Sequence, residues 1–154
     1  MVAVTSTGRE TPSLSIRPET AGYATSAVGA PSLLIHFDTW LRDDIVRAHP
    51  HVLVTTRLKK ALQALKGARG FSIVGVQVTK SPFFLRHSPG RKLPKFWRVV
   101  VEGRPGIDDM GLSVDSKLVV SLRTVSVLMR FNIRNAELAQ YCRPIARRTR
   151  RPKR

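Results

Sequence analysis

Asp108, Asp109 and Asp115 are the one acidic cluster in a chain of formal net charge +17. Paired carboxylates can hold Mg²⁺ or divide the roles of acid and base between them. These three follow the turn Arg104-Pro105-Gly106, and no other Asp, Glu or His stands at a spacing that completes a ligand set. Turn and helix-cap chemistry accounts for them. His49 and His51 bracket Pro50, with His36 and His87 elsewhere; two imidazoles begin a metal site but need partners that the sequence does not indicate. Ser121 lies where a strand would pass into a helix, as a nucleophile elbow does. Its surroundings, Val119-Val120-Ser121-Leu122-Arg123, lack the glycines of that strained turn. Gly67 and Gly70 are not followed by Gly-Lys-Ser/Thr and form no phosphate loop. The chain is expected to be no enzyme, with no catalytic residue, metal site or cofactor.

The elements that would carry these residues repeat. Val52-Leu53-Val54-Thr55-Thr56-Arg57 followed by Leu62 is echoed, 66 positions later, by Leu118-Val119-Val120-Ser121-Leu122-Arg123 followed by Leu128 (118 minus 52). Three apolar β-formers before Thr or Ser predict a buried strand that ends at a helix N-cap, the hydroxyl accepting from a free N–H. Leu58, Ala61, Leu62 and Leu65 mark the apolar stripe of a helix over 57–66, ended by Gly67. In the second copy the helix runs over 122–131, with Val125, Leu128 and Met129 toward the core and Leu122 at the margin of that set. Further strands are expected over 32–37, 71–79, 96–102 and 133–141, with Gly75 marking a bulge or close contact. Asp38 would cap a helix over 39–48 on Trp40, Leu41, Ile45 and Val46, and residues 81–94 would be a loop or short helical excursion. With five or six strands and three helices intermixed, the fold class is α+β. The expected architecture is a single small domain with a mixed, mainly antiparallel sheet and two strand–helix repeats.

Composition divides the chain of 154 residues into three. Residues 1–31, rich in Thr, Ser, Gly, Ala and Pro, read as a disordered N-terminal arm, and residues 143–154, with seven Lys or Arg and no acid, as a disordered basic tail. Residues 32–142 would form the α+β binding domain. From 33 to 142 there are 18 Lys or Arg against 8 Asp or Glu, a net +10, so the folded part itself carries a positive field toward anionic partners. Cys142 is the only cysteine, which excludes an intrachain disulfide and a Cys-based zinc site. With no basic-then-apolar leader and no apolar run near the ~20 residues of a membrane span, the expected location is the cytoplasm.

Two surfaces stand out. Lys59 and Lys60 coat the polar face of the first predicted helix, and with Arg91, Lys92 and Trp97 they make a charged and aromatic patch of the kind protein interfaces favour. Arg86, Arg91, Lys92, Lys95 and Arg98 crowd around Phe83, Phe84, Phe96 and Trp97, a mixture suited to phosphate contacts and base stacking. In the tail, Arg147, Arg148, Arg150 and Arg151 would attract nucleic acid without regard to sequence.

From His51 to Tyr141 the chain resembles small bacterial immunity-type proteins of polymorphic-toxin systems. The resemblance rests on Val52-Leu53-Val54-Thr55-Thr56-Arg57, on Gly67 to Phe71, on Asp108-Asp109-Met110-Gly111-Leu112 and on Leu118-Val119-Val120-Ser121-Leu122-Arg123. It implies a non-enzymatic binding protein that neutralises a toxin or effector protein by direct contact. The alternative is a basic nucleic-acid-associated protein that uses its tail and the segment 83–98.

Overall fold

Val52-Leu53-Val54 and Leu118-Val119-Val120 are apolar at every position because each strand is covered on both faces. A computed structural model describes residues 12–26 and 33–142 of the chain. In order these form β1 (Ser13–Arg17), β2 (Glu19–Thr25), β3 (Leu34–Phe37), β4 (Ile45–His49), β5 (His51–Thr55) and α1 (Thr56–Gln63). There follow β6 (Phe71–Gly75), β7 (Gln77–Lys80), α2 (Pro82–His87), β8 (Phe96–Val101), β9 (Met110–Leu112), β10 (Leu118–Ser121), α3 (Leu122–Leu128) and β11 (Glu137–Gln140). The fold is α+β, one small domain with a mixed, mainly antiparallel sheet system and two strand–helix repeats. No helix among the described residues is long and apolar enough to cross a membrane.

The strands make two sheets, one of four in the order β11-β1-β10-β9 and one of seven in the order β6-β8-β5-β4-β2-β3-β7. Only β2–β4 and β3–β7 pair in parallel. Four neighbours of the larger sheet, β6-β8-β5-β4, repeat the order of the smaller one. Each repeat is a leading strand, a hairpin, a helix and a returning strand: β1, β4–β5, α1 and β6, then β8, β9–β10, α3 and β11. The leading strands are exchanged. β1 lies between β10 and β11, while β8 lies between β5 and β6. Registers agree: Val99 faces Val52 where Ile16 faces Leu118, and Phe96 faces Thr55 where Ser13 faces Ser121.

Gly75 and Gln77 belong to strands at opposite ends of the seven-stranded sheet, yet only Val76 separates them. Two Cα steps span at most about 7 Å, so the sheet must curl until its edges meet. Its interior is filled by Ala21, Ile35, Phe37, Val46, Ala48, Leu53 and Phe96, and Phe84 of α2 joins this core. The second core lies on the outer side of the curl, where Ile45, Val52, Val54 and Val99 meet Leu58 and Leu62 of α1, Leu128 of α3, and Ile16, Leu118 and Val120 of the smaller sheet.

Several sequence expectations are corrected. Ser13 to Thr25, expected within a disordered arm, is two strands; Ile16 and Ala21 are buried, and Gly22 is required because a Cβ there would lie 1.9 Å from the His36 carbonyl oxygen. Small residues that resemble disorder by composition are here the consequence of close strand approach. Residues 1–11 and 27–31 of the arm, and the tail, lie outside the described residues. The helix expected over 39–48 is a loop followed by β4: Ile45 belongs to the outer core and Val46 to the inner one, which a strand buried on both faces demands. The strand expected over 71–79 is split, β6 pairing with β8 and β7 with β3. Leu122 and Met129 are exposed at 48% and 61%, and the buried face of α3 is Thr124, Val127 and Leu128.

The equivalence of Leu62 and Leu128, both fully buried, generates a stability test. Leu62→Ala and Leu128→Ala are each expected to lower the unfolding free energy in urea melts by about 2–5 kcal/mol. Gly22→Ala is expected to destabilise at least as much, because backbone rather than a flexible side chain occupies the space.

Candidate functional site

Two buried carboxylates position everything around them. Asp44, the residue before β4, accepts from Thr55 Oγ1 at 2.6 Å and from Arg57 Nε at 2.8 Å on one oxygen. Its other oxygen takes Arg57 Nη2 at 2.6 Å and the Asn132 N–H at 2.9 Å. Asp109, the residue before β9, repeats the pattern: Ser121 Oγ at 2.7 Å, Arg123 Nε and Nη2 at 2.8 Å each, and the Arg69 N–H at 2.9 Å. The backbone agrees. Asp44 and Asp109 accept through their carbonyls from Thr55 and Ser121, and donate through their N–H groups to the carbonyls of Asn132 and Arg69. Each carboxylate thus binds the hydroxyl and arginine of its own repeat and the chain leaving the helix of the other.

Asp109 is held well below the usual carboxylate range, at about 2, foremost by the Arg123 hydrogen bonds; burial opposes this, and Ser121 and the Arg69 N–H add to it. For Asp44, burial is the largest influence and pushes upward, but the bonds from Arg57, Thr55 and Asn132 and the Arg57 charge together carry it below its ordinary value. Both carboxylates have all their donors inside the protein, four hydrogen bonds each. Asp108 accepts from the Arg104 N–H at 2.6 Å within its turn, and Asp115 is exposed on the β9–β10 connection. Ser121 caps α3, accepting from the Thr124 N–H at 3.3 Å. Thr55 stands at the N-cap of α1 but makes no side-chain cap bond there; the expected acceptor donates to Asp44 instead. The histidines do not converge: His36 contacts Thr25, His49 contacts Arg47 and His87 contacts the Phe83 carbonyl. Burial, aided by Arg98 and His49, lowers the His51 pKa. Among the described residues no three His, Cys, Asp or Glu are placed to hold a metal ion.

Asp44 and Asp109, each with its donors, act as two latches between the repeats, and the remaining candidate is a basic face beside the first, at the start of α1. Trp97 of β8 is half-buried, its Nε1–H donating to Thr56 Oγ1 at 3.0 Å at the start of α1. Lys59 Nζ lies 3.5 Å and Lys95 Nζ 4.4 Å from the ring centroid, two cation–π contacts on one indole. Beside it run three adjoining hollows of about 510, 620 and 640 Å³. Trp40 and Arg42 line the first two, and Lys92 lines the last two. Arg42, Arg57, Lys80, Arg91, Lys92 and Lys95 contribute to these walls, against one carboxylate, Asp44, which is already saturated. Arg91 donates through Nη1 to the Trp40 carbonyl, and Lys80 donates to the Arg91 carbonyl, so these two tie the 88–94 loop to its neighbours.

Of the residues proposed from sequence, Lys59, Lys95 and Trp97 are in contact, and Arg91 and Lys92 line the same hollow. Lys60 and Arg86 are exposed on α1 and α2 and line none of the three hollows. Arg98 is separated from the patch by strand alternation: it follows Trp97, pairs with the inward-facing Leu53, and acts on His51. Arg147, Arg148, Arg150 and Arg151 lie outside the described residues. Sequence reasoning missed Asp44, Trp40 and Arg42. Asp44 had a signal, since an aspartate precedes the hydroxyl of each repeat by 11 or 12 positions (55 minus 44, 121 minus 109).

The latches set an acid limit on stability. A carboxyl whose pKa is lower in the folded state contributes stability that is complete above its unfolded pKa of about 3.9 and is lost as pH falls through the folded value. Resistance to urea unfolding is therefore expected to weaken between about pH 4 and pH 2. Asp109→Asn should flatten that dependence and cost about 2–4 kcal/mol at neutral pH, by leaving Arg123 and the Arg69 N–H poorly matched.

Compared with protein-family models, with curated proteins and with solved structures, the chain finds no match in any of the three.

Proposed function

We propose that this protein is a non-enzymatic, cytoplasmic binding protein of the immunity type, which neutralises a partner protein by covering an acidic surface with the face around Trp40, Lys59, Lys92, Lys95 and Trp97. The observation that carries the reading is the charge balance of that face: six cations line its hollows, and the single carboxylate among them is consumed by Arg57. Such a face raises the encounter rate with an anionic partner and rejects a cationic one. The carboxylates and hydroxyls that could have done chemistry are engaged in holding the fold.

An acidic protein suits the face better than nucleic acid does. Sequence-tolerant binding of single strands relies on open aromatic faces for base stacking. Here two ammonium groups occupy the Trp97 ring, Phe83 stacks on His87 with centroids 4.0 Å apart, and Trp40 meets Phe96 edge-on at 6.0 Å. What the face offers is a set of point charges and Arg forks.

The test is protection. The chain is co-expressed with each candidate effector encoded near it in its genome, and rescue of growth is scored together with affinity for the rescued effector. Lys59→Glu with Lys95→Glu, and separately Trp97→Ala, are expected to weaken binding by roughly 10–100-fold, as central interface residues do. Gel-shift titration of the full chain supplies the counter-test. Nucleic-acid binding that stays tight as salt rises, and that these substitutions abolish, would replace the protein-partner reading.

A further inference from the structure

Arg42 is the residue of the basic face whose backbone the fold holds in place at a cost and whose side chain has no ion pair among the described residues. Its φ is +74°, the left-handed region that residues with a Cβ avoid. Such a conformation persists only where the surroundings over-determine it. Here Asn132 Nδ2 donates to the Arg42 carbonyl at 2.9 Å, and on the other side of the turn Trp40 Nε1 donates to the Asp43 carbonyl at 2.9 Å. The two adjacent carboxylates do not pair with Arg42. Asp43 accepts from the backbone and side chain of Asn135 at 2.9 Å each, and Asp44 is filled by Arg57 and its other donors. No ion pair to Arg42 exists among the described residues, whereas Arg57 and Arg123 each grip an aspartate with two nitrogens. Arg42 lines the wall common to two hollows, one of which also holds Trp40, His87, Arg91 and Lys92.

We infer that this hollow, about 620 Å³ between the 40–44 turn and the 87–92 loop, is a carboxylate socket that takes an Asp or Glu side chain from an acidic peptide segment of the partner, with Arg42 as its anchor. The inference rests on the protein-partner reading and adds to it the chemistry of one contact. A guanidinium matches a carboxylate with two parallel bonds, which a lysine cannot do. Arg91 has one nitrogen committed to the Trp40 carbonyl and serves mainly to hold the wall, so the free fork in the hollow is that of Arg42. Trp40 forms the apolar side against which the methylenes of a glutamate can rest.

The experiment titrates the full chain with an oligoglutamate peptide at low salt by calorimetry, beside Arg42→Gly, Arg42→Lys and Lys59→Glu with Lys95→Glu, and an oligothymidylate of equal charge as the competing probe. Glycine accepts the left-handed backbone, so Arg42→Gly removes the guanidinium while relieving the strain. Its melting temperature should be no lower than that of the unaltered protein, while peptide affinity falls about tenfold or more. Arg42→Lys, which keeps the charge and loses the fork, should fall in between. Peptide affinity of Arg42→Gly within about twofold of the unaltered protein overturns the socket. If the lysine reversals still abolish binding in that case, the acidic-partner reading stands without it. Absence of peptide binding overturns the socket outright, and tight oligothymidylate binding in its place removes the protein-partner reading as well.

Discussion

The structure depends on a carboxylate shared between two repeats. Taking an ionised aspartate out of water costs several kcal/mol even after relaxation. Asp44 and Asp109 offset this with four hydrogen bonds each, of which two come from an arginine fork. Hydrogen bonds to a charged group contribute about 1.5–3 kcal/mol net apiece, so losing any one of the four donors costs on that order. The fourth donor is the one supplied by the opposite repeat: Asn132 for Asp44 and Arg69 for Asp109. Neither carboxylate is satisfied within its own half. The halves are therefore coupled electrostatically as well as by strand exchange, and opening one repeat exposes a charge buried in it.

Strand exchange and the latches reinforce each other. β1 can pair with β10 only if the second repeat is folded, and β8 can pair with β5 only if the first is. The outer core then forms where the two repeats meet, with Leu58 and Leu62 against Val127 and Leu128. One half alone would leave this apolar face and two strand edges in water. The inner core, by contrast, is enclosed by the curled sheet and α2, and includes β2 and β3, strands that have no counterpart in the second repeat. These additions break the symmetry and place α2, with its loop, beside the 40–44 turn.

What could be read in the sequence follows from which signals were local. The strand–helix junctions were legible because an apolar triplet, a hydroxyl and the spacing of Leu58 and Leu62 all lie within a dozen residues. The α+β class followed from them. β1 was also visible in principle: Leu14 and Ile16 alternate with Ser13, Ser15 and Arg17, but the Ser and Thr content of the flanks outweighed a strand only five residues long. β4 resembles a helix in sequence because Trp40, Leu41, Ile45 and Val46 fall near helical spacing, and a strand buried on both faces has no period of two to contradict it. The break at Val76 depends on sheet closure, a property of the whole fold. In the same way, Arg42 could not be singled out, since neither its backbone conformation nor the engagement of Asp43 and Asp44 is written near it. Charge and aromaticity mark Lys59 and Trp97 in the sequence, but their contact depends on the register of β8 on β5.

The latches also explain why so modest a number of acids leaves so positive a surface. Of the eight acidic residues between 33 and 142, Asp38, Asp43, Asp44, Asp108 and Asp109 accept hydrogen bonds from inside the protein. Among the described residues only the cations Arg57, Arg104 and Arg123 pair with them. The acids are thus directed inward, where they cap turns and join repeats, and most of the lysines and arginines face solvent without a neutralising neighbour. A surface salt bridge would have been worth under about 1 kcal/mol, too little to recruit acids outward against the demand for them at the junctions. The positive field of the Trp40–Trp97 face is then a by-product of how the fold holds itself together, and the 40–44 turn adds to it an arginine that has no ion pair among the described residues.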